Sequence, residues 1–167
     1  MADLYLNPVT VADNDLMIIV QKGNPHGIRT IADLTQPGLR IGLPHHEKSA
    51  MGNIAWKMLV EMGVYDALSR NMKVESPTGD FLINQIRTGS LDAIIACRSN
   101  YTLVRDTLDA IPINHPLAHM TQPYAVGQST RYKQMMIRLQ DALTSATSRE
   151  RFEAVGFGWR FERNPNP

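Results

Sequence analysis

Two unbroken apolar runs, Leu16-Met17-Ile18-Ile19-Val20 and Ala93-Ile94-Ile95-Ala96-Cys97, have no polar face to show to water. Runs this short, bounded by turn residues, read as strands covered on both sides, as in sheets sandwiched between helix layers. The first ends at the turn Gly23-Asn24-Pro25. Neither approaches the roughly 18 successive apolar residues that a bilayer span requires.

The rest of the chain supplies the covering layers. Thr30 to Leu34 makes one helical turn before Pro37-Gly38, and Leu39-Arg40-Ile41-Gly42-Leu43 is a strand closed by Pro44. Met51, Ile54, Ala55, Met58, Leu59 and Met62 share one side of a helix stopped by Gly63. A short helix over 64–69, a strand at Met72-Lys73-Val74, a helix over 80–87 ended by Gly89 and the strand 92–97 continue the alternation. A helix over 101–106 and a strand at Ala110-Ile111-Pro112-Ile113 follow, the proline placing that strand at a sheet edge. Beyond it, Ala118 to Gln128 is extended or irregular. Tyr132, Met135, Met136, Leu139, Ala142 and Leu143 mark an amphipathic helix, Ser148 caps a last one running to Gly156, and Asn164-Pro165-Asn166-Pro167 frays. This alternation predicts an α/β protein, a three-layer α/β/α arrangement with a mostly parallel sheet.

Composition removes several function classes. With 43% hydrophobic residues and a net charge of +1, the chain can form a core, so it is not a disordered segment. Seventeen basic against sixteen acidic residues leave no cationic surplus for phosphate backbones, so no nucleic-acid partner is expected. Cys97 is the single cysteine and cannot form an internal disulfide. Residues Met1 to Asn7 lack a basic start and an apolar stretch, so they are not a signal peptide, and an export signal would lie outside this sequence.

In such sheets ligands bind beyond the carboxyl ends of strands, where helix N-termini converge. Three helix starts qualify: Ser49-Ala50-Met51-Gly52, Thr78-Gly79-Asp80 and Arg98-Ser99-Asn100. Ser49, Thr78 and Ser99 offer hydroxyl caps beside backbone N–H groups, and Gly52 and Gly79 admit close approach of a small anion. His45-His46-Glu47 reads as a solvated loop, because adjacent histidines do not define a coordination sphere. Cys97 reads as core or pocket wall, and the methionines as core filling. No catalytic residue, metal or cofactor is assigned.

Taken in order, several segments resemble the type II periplasmic binding proteins of ABC importers, within them the molybdate and tungstate binders. The segments are Val20-Gln21-Lys22-Gly23-Asn24-Pro25, Ile31-Ala32-Asp33-Leu34, Pro37 to Gly42, Ala50 to Ala55, Ile86-Arg87-Thr88-Gly89-Ser90-Leu91-Asp92-Ala93 and Ala154-Val155-Gly156-Phe157. The resemblance implies a ligand-cleft lobe over 9–115, a segment over 116–160 that returns to a first lobe missing from this sequence, and a tail over 161–167. It also implies backbone donors at Met51, at Gly52 and at Gly79 or Asp80, and a pocket wall at Cys97. Met51 stands where the family has a small residue and Cys97 where it has tyrosine, and Asp80, facing inward, would repel an anion.

The resulting expectation is a solute-binding component of an importer, not an enzyme, that recognises a small oxyanion such as molybdate or tungstate. An ABC permease and either a first lobe or a second copy are the expected partners, in the periplasm or outside the cell. The rival is a ligand-sensing effector domain of a transcriptional regulator, working in the cytoplasm. A hydrolase using Cys97 or His45-His46 lacks a base-orienting constellation.

Overall fold

The computed structural model describes residues 4–161. The first three residues and the tail Asn164 to Pro167, on which the export and fraying expectations rest, lie outside the described residues. The chain divides into two compact units, one formed by Asp15–Met120 and the other by the flanking segments before Asp15 and after Met120.

The strands and helices, in chain order, are β1 (Tyr5–Asp13), β2 (Leu16–Gln21), β3 (Ile41–Pro44), α1 (Ala50–Glu61), α2 (Tyr65–Ser69), β4 (Met72–Ser76), α3 (Gly79–Arg87), β5 (Ala93–Cys97), α4 (Arg98–Thr102), β6 (Leu108–Pro112), β7 (Thr121–Gly127), α5 (Lys133–Leu143), α6 (Ala146–Ala154) and β8 (Gly158–Trp159). In the 15–120 unit the sheet order is β4-β3-β5-β2-β6. β3 is parallel to β4 and β5, while β2 runs antiparallel to β5 and β6, so one reversed strand sits among four that point the same way.

Both apolar runs are buried on both faces. Leu16, Ile18 and Val20 of β2, with Ala93, Ile95 and Cys97 of β5, join a core with Ala55, Met58 and Leu59 of α1 and Leu68 of α2. The alternate residues Ile19, Ile94 and Ala96 join a second core with Leu82, Ile83 and Ile86 of α3. The period-two alternation of a strand thus feeds two helix layers, which makes the unit a three-layer α/β/α lobe. Pro112 ends the edge strand β6, as its missing N–H requires.

The short motifs mostly hold this scaffold. Lys22 Nζ lies 2.8 Å from Asp109, and Asn24, at φ +46°, accepts the Ile28 N–H at 3.0 Å and donates to the Ile28 carbonyl at 2.7 Å. Asp33 accepts the N–H groups of Arg29 and Thr30. Gly89 ends α3 at φ +74°, a conformation side chains resist. Asp92, 5% exposed, accepts the Arg40 N–H at 2.8 Å and its Nε–H at 3.1 Å.

The second unit is a three-stranded antiparallel sheet, β7-β1-β8, with α5 and α6. Its register runs from Tyr5 opposite Gly127 to Asp13 opposite Thr121. Phe152 contacts the rings of Phe157 and Trp159 edge-on, and Arg160 donates to the Asp13 carboxylate. The Tyr124 hydroxyl donates to the Met136 carbonyl at 2.7 Å. Tyr132, Met135 and Leu139 remain exposed, so the apolar side of α5 is open.

Several expectations need correction here. β1 was not anticipated: Pro8 and two register shifts break its alternation, and its partner β7 is remote in sequence. The stretch 118–128, expected as extended or irregular, holds the strand β7 over Thr121–Gly127. The helix expected over 101–106 is instead α4 at 98–102, followed by turns. Ser145, not Ser148, caps α6: its Oγ accepts the Ser148 N–H at 3.2 Å. Beside the expected lobe over 9–115 and segment over 116–160, the compact units divide at Asn14/Asp15 and Met120/Thr121, with 9–13 in β1.

Candidate functional site

The parallel strands β3, β4 and β5 end at Pro44, Ser76 and Cys97, and α1, α3 and α4 begin just beyond them. The His45 N–H donates to the Ser76 carbonyl at 2.8 Å, joining the first two ends. All seven expected site residues, Ser49, Met51, Gly52, Thr78, Gly79, Cys97 and Ser99, therefore lie at one edge of the sheet.

Ser49 Oγ accepts the Gly52 N–H at 3.0 Å and so caps α1. This uses the Gly52 N–H that the resemblance offered to a ligand. Gly52 is a packing requirement: a Cβ there would lie 2.2 Å from the His45 carbonyl oxygen. Met51 turns its thioether onto Cys97, Sδ to Sγ at 3.4 Å.

At α3, Thr78 occupies the cap position without a side-chain cap bond; its N–H donates to Ser76 Oγ at 3.1 Å. Gly79 is covered by the Asn100 amide, whose Oδ1 would stand 2.5 Å from an added Cβ. Asn100 ties the site together. Its Nδ2 donates to Asp80 Oδ1 at 3.0 Å and its Oδ1 accepts the Cys97 N–H at 3.2 Å. Ser99 is not a cap but lies inside α4, whose cap position belongs to Cys97. Asn100 was legible only as the fourth residue of a C-x-x-N capping box; Asp15, His119 and Met120 left no signal at all.

Electrostatically the edge is mixed. Three helix N-termini bring partial positive charge, while Asp80 and Asp15 bring negative charge. Asp15 lies 2.8 Å from His119 Nδ1 and 3.5 Å from Arg98. Burial pushes the Cys97 thiol up to about 11, with the Asp15 carboxylate adding to it. A thiol so held is protonated at neutral pH and is a poor nucleophile.

Elsewhere, His46 stacks between His45 at 5.6 Å and Trp56 at 5.8 Å, and its Nδ1 lies 3.8 Å from Glu75. Among the described residues no three His, Cys, Asp or Glu side chains converge on a metal position. An open groove of about 480 Å³, lined by Gln21, Lys22, Arg87 and Leu108, occupies the opposite edge of the sheet, beside the negative end of α3. No helix among the described residues is long and apolar enough to cross a membrane.

Comparison with known proteins follows the same outline. Residues 2–158 match the model of the bacterial extracellular solute-binding protein family. A Haemophilus influenzae protein described as a binding protein is 25% identical over 143 residues, which are 84% of this chain and 58% of that protein. The chain thus spans little more than half the length of that relative. The periplasmic molybdate-binding protein of Azotobacter vinelandii superposes with a TM-score of 0.74 at 14% identity, covering 96% of this chain and 72% of the other. PEB3 from Campylobacter jejuni, in a crystal structure with bound L-phospholactate, gives 0.74 at 17% identity over 92% and 68%.

Proposed function

This chain belongs to the bacterial extracellular solute-binding proteins, and from that premise we propose that it is the solute-recognising part of an importer, taking a small oxyanion at the carboxyl edge of β3, β4 and β5. The observation that carries the reading is the convergence of the α1 and α3 N-termini there, joined through Cys97 and Asn100. Backbone N–H groups at helix starts hold an anion without a countercharge. Neighbours named for molybdate and for bound phospholactate support the same class. The Asn100–Asp80 bond holds that carboxylate to one side of α3.

The mechanism is capture between two lobes, one being the 15–120 unit and the other supplied by further chain or by a second copy. The closed form is presented to an ABC permease outside the cytoplasmic membrane. One lobe alone leaves the anion half hydrated, so binding by this chain is weak, with a Kd near 1 mM and about 4 kcal/mol.

Calorimetric titration with molybdate, tungstate, sulfate and phosphate tests this. Millimolar binding, strengthened severalfold by Asp80→Asn and unaffected by Arg87→Ala, is expected. No oxyanion binding in either form, or binding abolished by Arg87→Ala, would overturn the assignment.

A further inference from the structure

Three sulfur atoms from separate parts of the 15–120 unit meet at the end of β5. Cys97 Sγ lies 3.4 Å from Met51 Sδ and 4.0 Å from Met120 Sδ. Cys97 and Met120 are buried, while Met51, in the first turn of α1, is half-buried and gives the cluster an approach from solvent. A core methionine ordinarily fills space with methylenes and a methyl group. Here two thioether sulfurs, the soft donor atoms of their side chains, both point at one thiol. We propose that Met51, Cys97 and Met120 form a binding site for a monovalent soft metal ion, copper(I) or silver(I), coordinated by one thiolate and two thioethers.

Softness, spacing and charge all point this way. Thiolate and thioether sulfur select copper(I) over harder ions. Metal–sulfur bonds of about 2.3 Å set the sulfurs of a trigonal site about 4 Å apart, near the separations present, and the flexible methionines absorb the difference. A monovalent ion and one thiolate make a neutral unit, which an apolar core accepts. A divalent ion there would leave an uncompensated positive charge. Asp15, the carboxylate nearest this thiol in charge terms, is already engaged by His119 and Arg98. Binding is an exchange: the Cys97 S–H bond breaks, the S–metal bond forms and the proton leaves to solvent, with no change of oxidation state. The site shares Met51 and Cys97 with the oxyanion reading but uses their side-chain sulfurs and not backbone donors, and copper(I) titration reads it without any oxyanion present.

The test is an anaerobic titration of the full chain with copper(I) against a chromophoric copper(I) chelator, following the ultraviolet thiolate-to-copper band. One equivalent is expected to bind, with the band lost in Cys97→Ala and the affinity reduced at least tenfold in each of Met51→Leu and Met120→Leu, exchanges that keep core volume. Wild-type binding no tighter than Cys97→Ala, or both leucine variants binding like wild type, would overturn the proposal. Should a leucine variant fail to fold, methyl NMR of the wild type with silver(I) decides: shifts confined to Met51 and Met120 support the site, and their absence refutes it.

Discussion

Gly52→Ala is expected to destabilise the 15–120 unit by about 2 kcal/mol, although the same exchange inside an ordinary helix gains up to about 1 kcal/mol. The added Cβ would sit 2.2 Å from the His45 carbonyl oxygen, 2.4 Å from its carbon and 2.8 Å from the Pro44 oxygen, whereas ordinary contact starts at 3.4 Å. Relief requires α1 to withdraw by about 1 Å, most of the 1.5 Å rise of one helical residue. The obstructing atoms are backbone, pinned by the His45–Ser76 bond, and cannot rotate away. Overpacking of this kind costs about 1–3 kcal/mol, and with no side chain to yield the upper end applies, which exceeds the propensity gain. Urea denaturation followed by Trp56 fluorescence, in a Trp159→Phe background, should show the midpoint falling by about 1 M at a typical slope of 1–3 kcal/mol/M. Gly127→Ala, with nothing within 4 Å of its Cβ, is the control and should stay within about 0.5 kcal/mol. An unchanged midpoint for Gly52→Ala would refute the close seating of α1 on the end of β3.

Three further outcomes follow from the same geometry. Ser49→Ala removes the acceptor of the Gly52 N–H and should cost about 1 kcal/mol by denaturation, with Ser49→Asp retaining most of it. The Arg40 guanidinium beside Asp92 holds its carboxyl below the usual carboxylate range. The stability it adds is therefore complete above the unfolded value of about 4 and disappears as pH falls through the lower folded value; Asp92→Asn should flatten that limb of a stability-against-pH curve. Iodoacetamide at pH 8 should leave Cys97 unmodified in the native chain and alkylate it rapidly in urea, as followed by mass spectrometry.

The lobe was legible because its strands betray themselves locally. Leu16 to Val20 and Ala93 to Cys97 lack any polar face, and the spacing of Met51, Ala55, Met58 and Leu59 gives the helix that covers them. Two of the three helix starts were legible from Ser49, Thr78 and their glycines, while the cap of the third is Cys97 and not Ser99. What the glycines do was not: Gly52 faces a carbonyl and Gly79 an amide, and such close approaches depend on segments placed by the whole sheet. The C-x-x-N spacing marks Asn100 as a helix-start residue, but its reach across the start of α3 to Asp80 and Gly79 depends on where β5 sets it. Met120 is separated from Cys97 by 23 residues, and Asp15 from His119 by 104, so neither pairing leaves a local pattern. β1 escaped for the same reason, its pairing with β7 being encoded in no neighbouring turn.

That pairing also sets an order of events during synthesis. Asp13 finds its partner Thr121 only after the whole 15–120 unit has left the ribosome. At about 5–20 residues per second, β1 waits on the order of 5–20 seconds with its edges unpaired, while the unit behind it has every contact it needs to close. An emerging strand left open for that long is the segment of this chain most exposed to mispairing with other nascent chains and to capture by chaperones. Synonymous codons that slow translation between β6 and β7 would lengthen this interval without changing a single residue.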